Sequence, residues 1–471
     1  MPRFIPRASA QIPHQVPTCL NYLPSAPDHF VVGTRTSTAQ TDLDLPYPQD
    51  DPSFGSLHLF KISTDNIIAT AQTIDIPVAV TALHISPSKP TALAIGSSDG
   101  SIRTFTASGS PPHLTPSKTF TPFSERAAIT SIRFHPLHSG VLACTLYSGS
   151  VYVIRIPGHG LQGDEAKMLW TLISHAPAPA WNLSWTPEPR SAPSEPAEVS
   201  SGLYSVGGDW NLFSSYWTLL EDVTDPNEMS TEDPVCLHGE VGVTGVVVIP
   251  SNAMPSRDVV MTAGMDGKFK ISNLLSFDLD DDEDCQPCVE TSIGTGGAAS
   301  RLLGPILVRE HYIPSAKDSL DSFDPASLIP EDYESDDENY VSGAEEDDQQ
   351  EYNPDADPNY VDPDAGAGVP MDEPDADSGM GPLQNSYFVL AGETSSGFLS
   401  MLKVERATAE EGGGSETWTI DKVASSDGHQ GGKLGAMDVH KVDGRISGAS
   451  ASVAMVDGEL SMLVCAWLFE P

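Results

Sequence analysis

Short apolar runs recur along the chain, separated by turn-forming residues. The clearest are "VTALHISPSKPTALAIGSSDGSIRTF" (80–105), "ITSIRFHPLHSGVLACTLYSGSVYVIRI" (129–156) and "GVTGVVVIPSNAMPSRDVVMTAGMDGKFKI" (242–271). One grammar runs through them. An apolar strand ends in a turn containing Pro or Ser, a second strand ends in small residues, and an Asp-Gly or Ser-Gly pair leads into a third. Glycine there supplies the positive φ that a tight hairpin needs. No stretch sustains a 3.6-residue apolar period, and the chain holds 40 prolines and 39 glycines, so long helices are not expected. The pattern predicts an all-β protein.

Units of this kind can be counted at 18–34 with 55–62, 80–105, 129–156, 180–217, 242–271, 304–313 with 385–404, and 432–469. A period of roughly 40 to 60 residues resembles the WD-repeat β-propeller, here with seven blades. The spacing also accommodates six or eight. No unit ends in Trp-Asp. Phe105 stands where the repeat's tryptophan falls after Asp99, and Ser272 stands there after Asp266. Asp99, Asp209 and Asp266 are expected to fix hairpin turns. The resemblance implies that such an aspartate bonds a histidine and a hydroxyl of its own blade, with His238 as the partner of Asp266. His135 and His138, beside a turn in "RFHPLHSG", are read as solvent-facing. The expected organisation is blades one to five and the start of blade six over 1–313, an insertion over 314–384, and the rest of blade six with blade seven over 385–471.

Charge narrows the partners. The chain has a net charge of −42 and a pI near 4.3, so nucleic-acid backbones and anionic membranes are excluded as partners and basic proteins are favoured. Residues 331–380 hold nineteen Asp or Glu and no Lys, Arg or His. Such a segment buries too little apolar surface to offset its ordering entropy, which predicts a disordered acidic loop. It reads either as a solvated insertion or as a means of capturing a basic partner. Neither it nor "DLDDDED" (278–284) has the spacing of a calcium-binding loop.

The six cysteines include one close pair, Cys285 and Cys288, with no second pair to complete a zinc set. No metal site is expected, and the usage fits a reducing compartment. "MPRFIPRASAQIPHQVP" lacks the apolar core of a secretory signal, and "MLVCAWLF" is too short to span a bilayer. A cytoplasmic, or also nuclear, location is expected. "GSSDG" (96–100) matches an esterase pattern around Ser98, but that pattern works only on a strand-to-helix elbow and here falls in a hairpin. No phosphate-binding loop, dinucleotide fingerprint or zinc-protease motif is present, so no cofactor is expected.

A finer resemblance rests on the order of several pieces. "HAPAPAWNLSW" followed by "LYSVGGDWNL" is similar to a segment of the diphthine methyl ester hydrolase family, through Ala180, Trp181, Trp185, Tyr204, Ser205, Gly207, Gly208 and Asp209. "HGEVGVTG…AGMDG" is similar to that family's next unit through His238, Gly242, Val243, Thr244 and Asp266. "HQGGKLGAMDV", with His429, Gly435 and Asp438, and the ending "VCAWLFEP" extend the match. Val206 is an extra residue, Trp210 replaces an aspartate and Leu434 replaces a tyrosine. The resemblance implies hydrolysis of the methyl ester of methylated diphthine, a modified histidine on translation elongation factor 2, without a cofactor. That chemistry needs a general base and donors for an oxyanion. His238 or His429 is the candidate base, with Asp209 or Asp438 orienting it, and Trp181 and Trp210 would hold the substrate's quaternary ammonium by cation–π attraction. The alternative is a non-enzymatic WD-repeat scaffold whose acidic loop binds a basic protein.

Overall fold

The computed structural model describes residues 3–36, 54–156, 166–186, 190–191, 199–219, 229–231, 234–239, 241–249, 257–275, 289–292, 300–311, 384–393, 397–407, 417–426, 429, 432–442, 445–456 and 459–470. These residues form thirty strands in seven antiparallel sheets, with no helix among them. The chain divides into Met1–Glu310 with Asn385–Pro471, and His311–Gln384. The acidic insertion, "DLDDDED", Cys285 and Cys288 lie outside the described residues.

After β1 (Arg3–Pro13), blade one holds β2 (Gln15–Leu23), β3 (Ala26–Thr36), β4 (Gly55–Ile62) and β5 (Ile68–Ile76). Blade two holds β6 (Val80–Ile85), β7 (Ala92–Ser97), β8 (Ile102–Ser108) and β9 (His113–Phe120). Blade three holds β10 (Ile129–Phe134), β11 (Val141–Leu146), β12 (Ser150–Arg155) and β13 (Lys167–Ile173). In blade four, β14 (Ala180–Trp185), β16 (Val199–Gly207), β17 (Asn211–Leu219) and β18 (Met229–Thr231) make the main path, with the short β15 (Arg190–Ser191) and β19 (Val235–Cys236) beside it. Blade five is β20 (Val243–Ile249), β21 (Arg257–Gly264), β22 (Lys268–Leu275) and β23 (Val289–Ser292). Blade six is β24 (Ser300–His311), β25 (Gln384–Glu393), β26 (Leu399–Ala407) and β27 (Thr417–Ser426). Blade seven is β28 (Lys433–Val442), β29 (Arg445–Val456) and β30 (Glu459–Glu470), and β1 is its fourth strand.

That last pairing, Arg3↔Glu470 through Pro13↔Ser461, closes the ring with the two ends of the chain. The apolar units alone do not reveal it, because β1 is an outermost strand with two prolines and a mostly half-exposed surface. Edge strands tolerate proline, and a bulge falls beside Pro6. Seven apolar clusters each straddle two neighbouring blades. Leu20, Phe30 and Phe60 of blade one, for example, pack on Ala449, Met462 and Val464 of blade seven. The seven junctions make one closed propeller, which leaves only protected sheet edges. Blade-on-blade packing buries both faces of the middle strands, so β11 reads "VLACTL" with every residue buried. The outer β5 and β9 alternate and are largely exposed.

The innermost strands touch one another in sequence, β28 to β2, β2 to β6, β6 to β10, β10 to β14 and β14 to β20. Each carries a bulge at the same step, at Thr18, Thr81, Thr130, Trp181, Thr244 and Gly435. Two of these threonines tie their blade to the next: Thr18 Oγ1 donates to Val80 O at 2.7 Å, and Thr130 Oγ1 donates to Ala180 O. At Gly435 a Cβ would strike Pro17 O of blade one, so this bulge needs glycine.

Candidate functional site

The histidines of three blades are built into one recurring network. In blade four, His175 Nδ1 meets Asp209 Oδ1 at 2.6 Å and its Nε2 meets Ser205 Oγ at 3.1 Å. In blade five, His238 Nδ1 lies 3.2 Å from both oxygens of Asp266, and its Nε2 lies 3.0 Å from Thr262 Oγ1. In blade seven, His429 bonds Ser450 Oγ and Ser452 Oγ, each at 2.7 Å. The histidine always precedes the innermost strand and a hydroxyl sits on the second strand; in blades four and five an aspartate sits on the turn after it, and in blade seven a second serine takes its place. The network therefore pins the entry of a blade to its central hairpin. Asp266 Oδ1 also accepts Lys268 N at 3.0 Å, as Asp99 Oδ1 accepts Ser101 N in blade two. The aspartates hold turns, and His238 serves Asp266 as its repeat position implies.

Burial lowers the pKa of His238 despite the pull of Asp266, and pushes His429 down to about 4. Both are neutral at pH 7, and in both residues each ring nitrogen is occupied by a hydrogen bond. Asp438 lies on β28, where its Oδ2 accepts Tyr22 N at 2.7 Å and Asn21 Nδ2 at 3.3 Å from blade one. Burial pushes its carboxyl up to about 6, opposed by those donors and by the charge of Arg133. His238, His429, Asp209 and Asp438, in blades five, seven, four and seven, thus make their hydrogen bonds to other residues, and none bonds another. Ser98 is in the β7–β8 hairpin, its N–H bonded to Ala79 O. Among the described residues no group of three His, Cys, Asp or Glu side chains is placed to hold a metal ion.

Two histidines read differently in the structure. His135 is fully buried rather than solvent-facing, with Nε2 2.8 Å from Ser201 Oγ and its ring edge-on to Trp185. His175 passes unnoticed in the sequence, although it precedes β14 by the same five residues that separate His238 from β20.

Trp181 and Trp210 occupy the rim of blade four. Trp210 is 42% exposed and has φ +61°. Gly100, Gly149, Gly267 and Gly397 hold the corresponding turn position in blades two, three, five and six, at φ between +70° and +93°. Trp181 takes the bulge position that threonine holds in blades one, two, three and five. It meets Tyr147 edge-on at 5.7 Å, and a Cβ on Gly208 would lie 3.4 Å from its Nε1. From blade five, Gly242 approaches the Cα of Gly208 and the sulfur of Met265, which is itself 37% exposed.

Charge is unevenly divided. Residues 331–380 hold nineteen of the 66 Asp and Glu and none of the 24 Lys and Arg, so they carry −19 of the net charge of −42 and the rest of the chain carries −23.

No known protein family and no curated protein matches the chain. Solved structures similar to it include Sqt1 from Chaetomium thermophilum, at 13% identity and a TM-score of 0.48 over 98% of this chain and 99% of that one. The same protein bound to the N-terminus of the ribosomal protein L10 is similar at 13% identity and a TM-score of 0.47, over 98% and 99%. At this distance the likeness says nothing about partners, and the seven blades stand on the sheet order itself.

Proposed function

We propose that the protein is a non-enzymatic propeller scaffold that recruits a basic protein through its acidic segments. The observation that carries this reading is the division of charge along the sequence: residues 331–380 carry −19 with no basic residue, and the rest of the chain carries −23. Charge of that size draws basic partners from a distance and is screened by salt.

Hydrolysis of the methyl ester of methylated diphthine on translation elongation factor 2 is the second reading. It calls for a base with a ring nitrogen open to substrate. In His238 and His429 both nitrogens are spent within the blade, so we rank it below the scaffold.

One experiment separates them. The full chain and a chain lacking 331–380 are titrated with a labelled Lys- and Arg-rich peptide at two salt concentrations. Each is also incubated with elongation factor 2 carrying methylated diphthine while the mass of the modified peptide is followed. The scaffold reading expects salt-sensitive binding that weakens at least tenfold on excision, and an unchanged mass. Absence of binding by the full chain, or loss of one methylene mass from the substrate, overturns it.

A further inference from the structure

Blade four departs from its neighbours at two equivalent positions, and both departures are to tryptophan on the same rim. The turn position is the more telling. A left-handed φ is open to glycine and costs other L-residues of order 1 kcal/mol, because Cβ crowds the backbone. Four sister turns use glycine there, while Trp210 holds φ +61° and is 42% exposed. The indole is only partly covered, at 42% exposed, so burial offsets little of that strain. Strain kept at one site among repeats points to a role for the side chain itself.

The residues around it make one contiguous patch. Gly208, on the blade-four hairpin, and Gly242, just before the inner strand of blade five, meet without side chains. Trp181, packed edge-on against Tyr147, adjoins Gly208, Met265 adjoins Gly242, and Trp210 follows Asp209 on the same turn as Gly208. The carboxylates of Asp209 and Asp266 are each partly exposed at 17% and 19%. The cations of the neighbouring strand, Lys268 and Lys270, are both paired with Glu290. Aromatic faces beside carboxylates attract a guanidinium or ammonium, with arginine favoured because its flat group also stacks.

We infer that the rim built by Tyr147, Trp181, Gly208, Trp210, Gly242 and Met265 is a docking surface for an extended segment of a basic protein, an arginine of which seats against Trp210. The inference rests on the scaffold reading and adds where the partner is held. Acidic segments supply attraction from a distance; the rim supplies the specific contact.

The test uses the full chain and a labelled Arg-Gly repeat peptide, with a Lys-Gly repeat as the comparison, followed by fluorescence anisotropy at physiological salt. Trp210→Gly restores the residue used by the sister turns, so the variant keeps its fold; its melting temperature is measured alongside. It is expected to bind the arginine peptide about tenfold more weakly and to lose the preference for arginine over lysine. Trp210→Phe, which keeps an aromatic face, retains most of the affinity. If the wild-type chain binds the arginine peptide and Trp210→Gly binds it equally well, the rim assignment falls while the scaffold reading stands. If the wild-type chain binds neither peptide, both fall.

Discussion

Blades four and five share a framework and differ at its surface. Each has a histidine before the inner strand, a hydroxyl on the second strand and an aspartate on the turn. Blade five then places Thr244 at the bulge and Gly267 on the turn, as most blades do; blade four places Trp181 and Trp210. The comparison separates what a blade needs to fold from what one blade adds. The His-Asp-hydroxyl network is framework. The two tryptophans are not required by it, since the sister blades manage without them.

Acid should act first on the buried histidines of the blades. Burial lowers His135 to about 3 and His58 on β4, His429 and His440 on β28 to about 4, and lowers His238 as well. A base with a depressed folded pKa binds its proton in the unfolded chain before the folded one. Its contribution is therefore complete above the unfolded value of 6.5 and is lost as pH falls toward 4. Thermal melts are expected to lose on the order of 5 kcal/mol of stability across that window. A flat profile from pH 7 to 4.5 would mean that the histidines are not held neutral.

Removing one member of the network is the next largest effect. His175→Ala and His238→Ala each leave a buried hydroxyl unpaired and open a void, at a cost of about 2–4 kcal/mol. Urea titration of the two variants should give similar losses. A loss in one blade only would show that the networks are not equivalent.

Exchanging the turn residues sharpens the contrast. Gly267→Trp forces a tryptophan to φ +73° and should destabilise by about 1 kcal/mol, while Trp210→Gly should stabilise by about the same amount. Opposite shifts in melting temperature are the expected result.

The smallest effect lies at the junction of blades seven and one. Asp438 has its pKa raised from 3.8 to about 6. A raised carboxyl favours the folded state below 3.8 and weakens it as pH climbs through 6, the opposite sense to the histidines. Asp438→Asn keeps an oxygen for Tyr22 N and should gain about 1 kcal/mol at pH 7.5 with no gain at pH 4.

The architecture was largely legible because blade packing leaves a plain trace. Strands buried on both faces read as apolar runs such as "VLACTL", and Asp-Gly at 99–100 and 266–267 marks the hairpins between them. Partners distant in the chain were less legible. Nothing in "RFIPRASAQIP" announces that β1 completes the blade of β30, since its surface is half-exposed and its pairing lies 467 residues away at Arg3 and Glu470. His135 looked solvent-facing because it stands beside a turn, yet a blade-four serine bonds it and its ring is buried. His175 was readable by repeat position and not by motif. At the candidate site, the sequence singled out Trp181, Trp210, His238 and His429, and the repeat resemblance paired His238 with Asp266, but nothing in it placed His429 between two serines of its own blade. Nor did it show that Trp210 sits where glycine is the rule, because φ is a property of the folded turn.

Hydrogen–deuterium exchange on the full chain, with and without saturating Arg-Gly repeat peptide, tests the central claim most directly. Protection concentrated in peptides covering 147–149, 178–182, 207–211 and 264–266 is the predicted result. Protection confined to 331–380, with the blade-four rim unchanged, would contradict it.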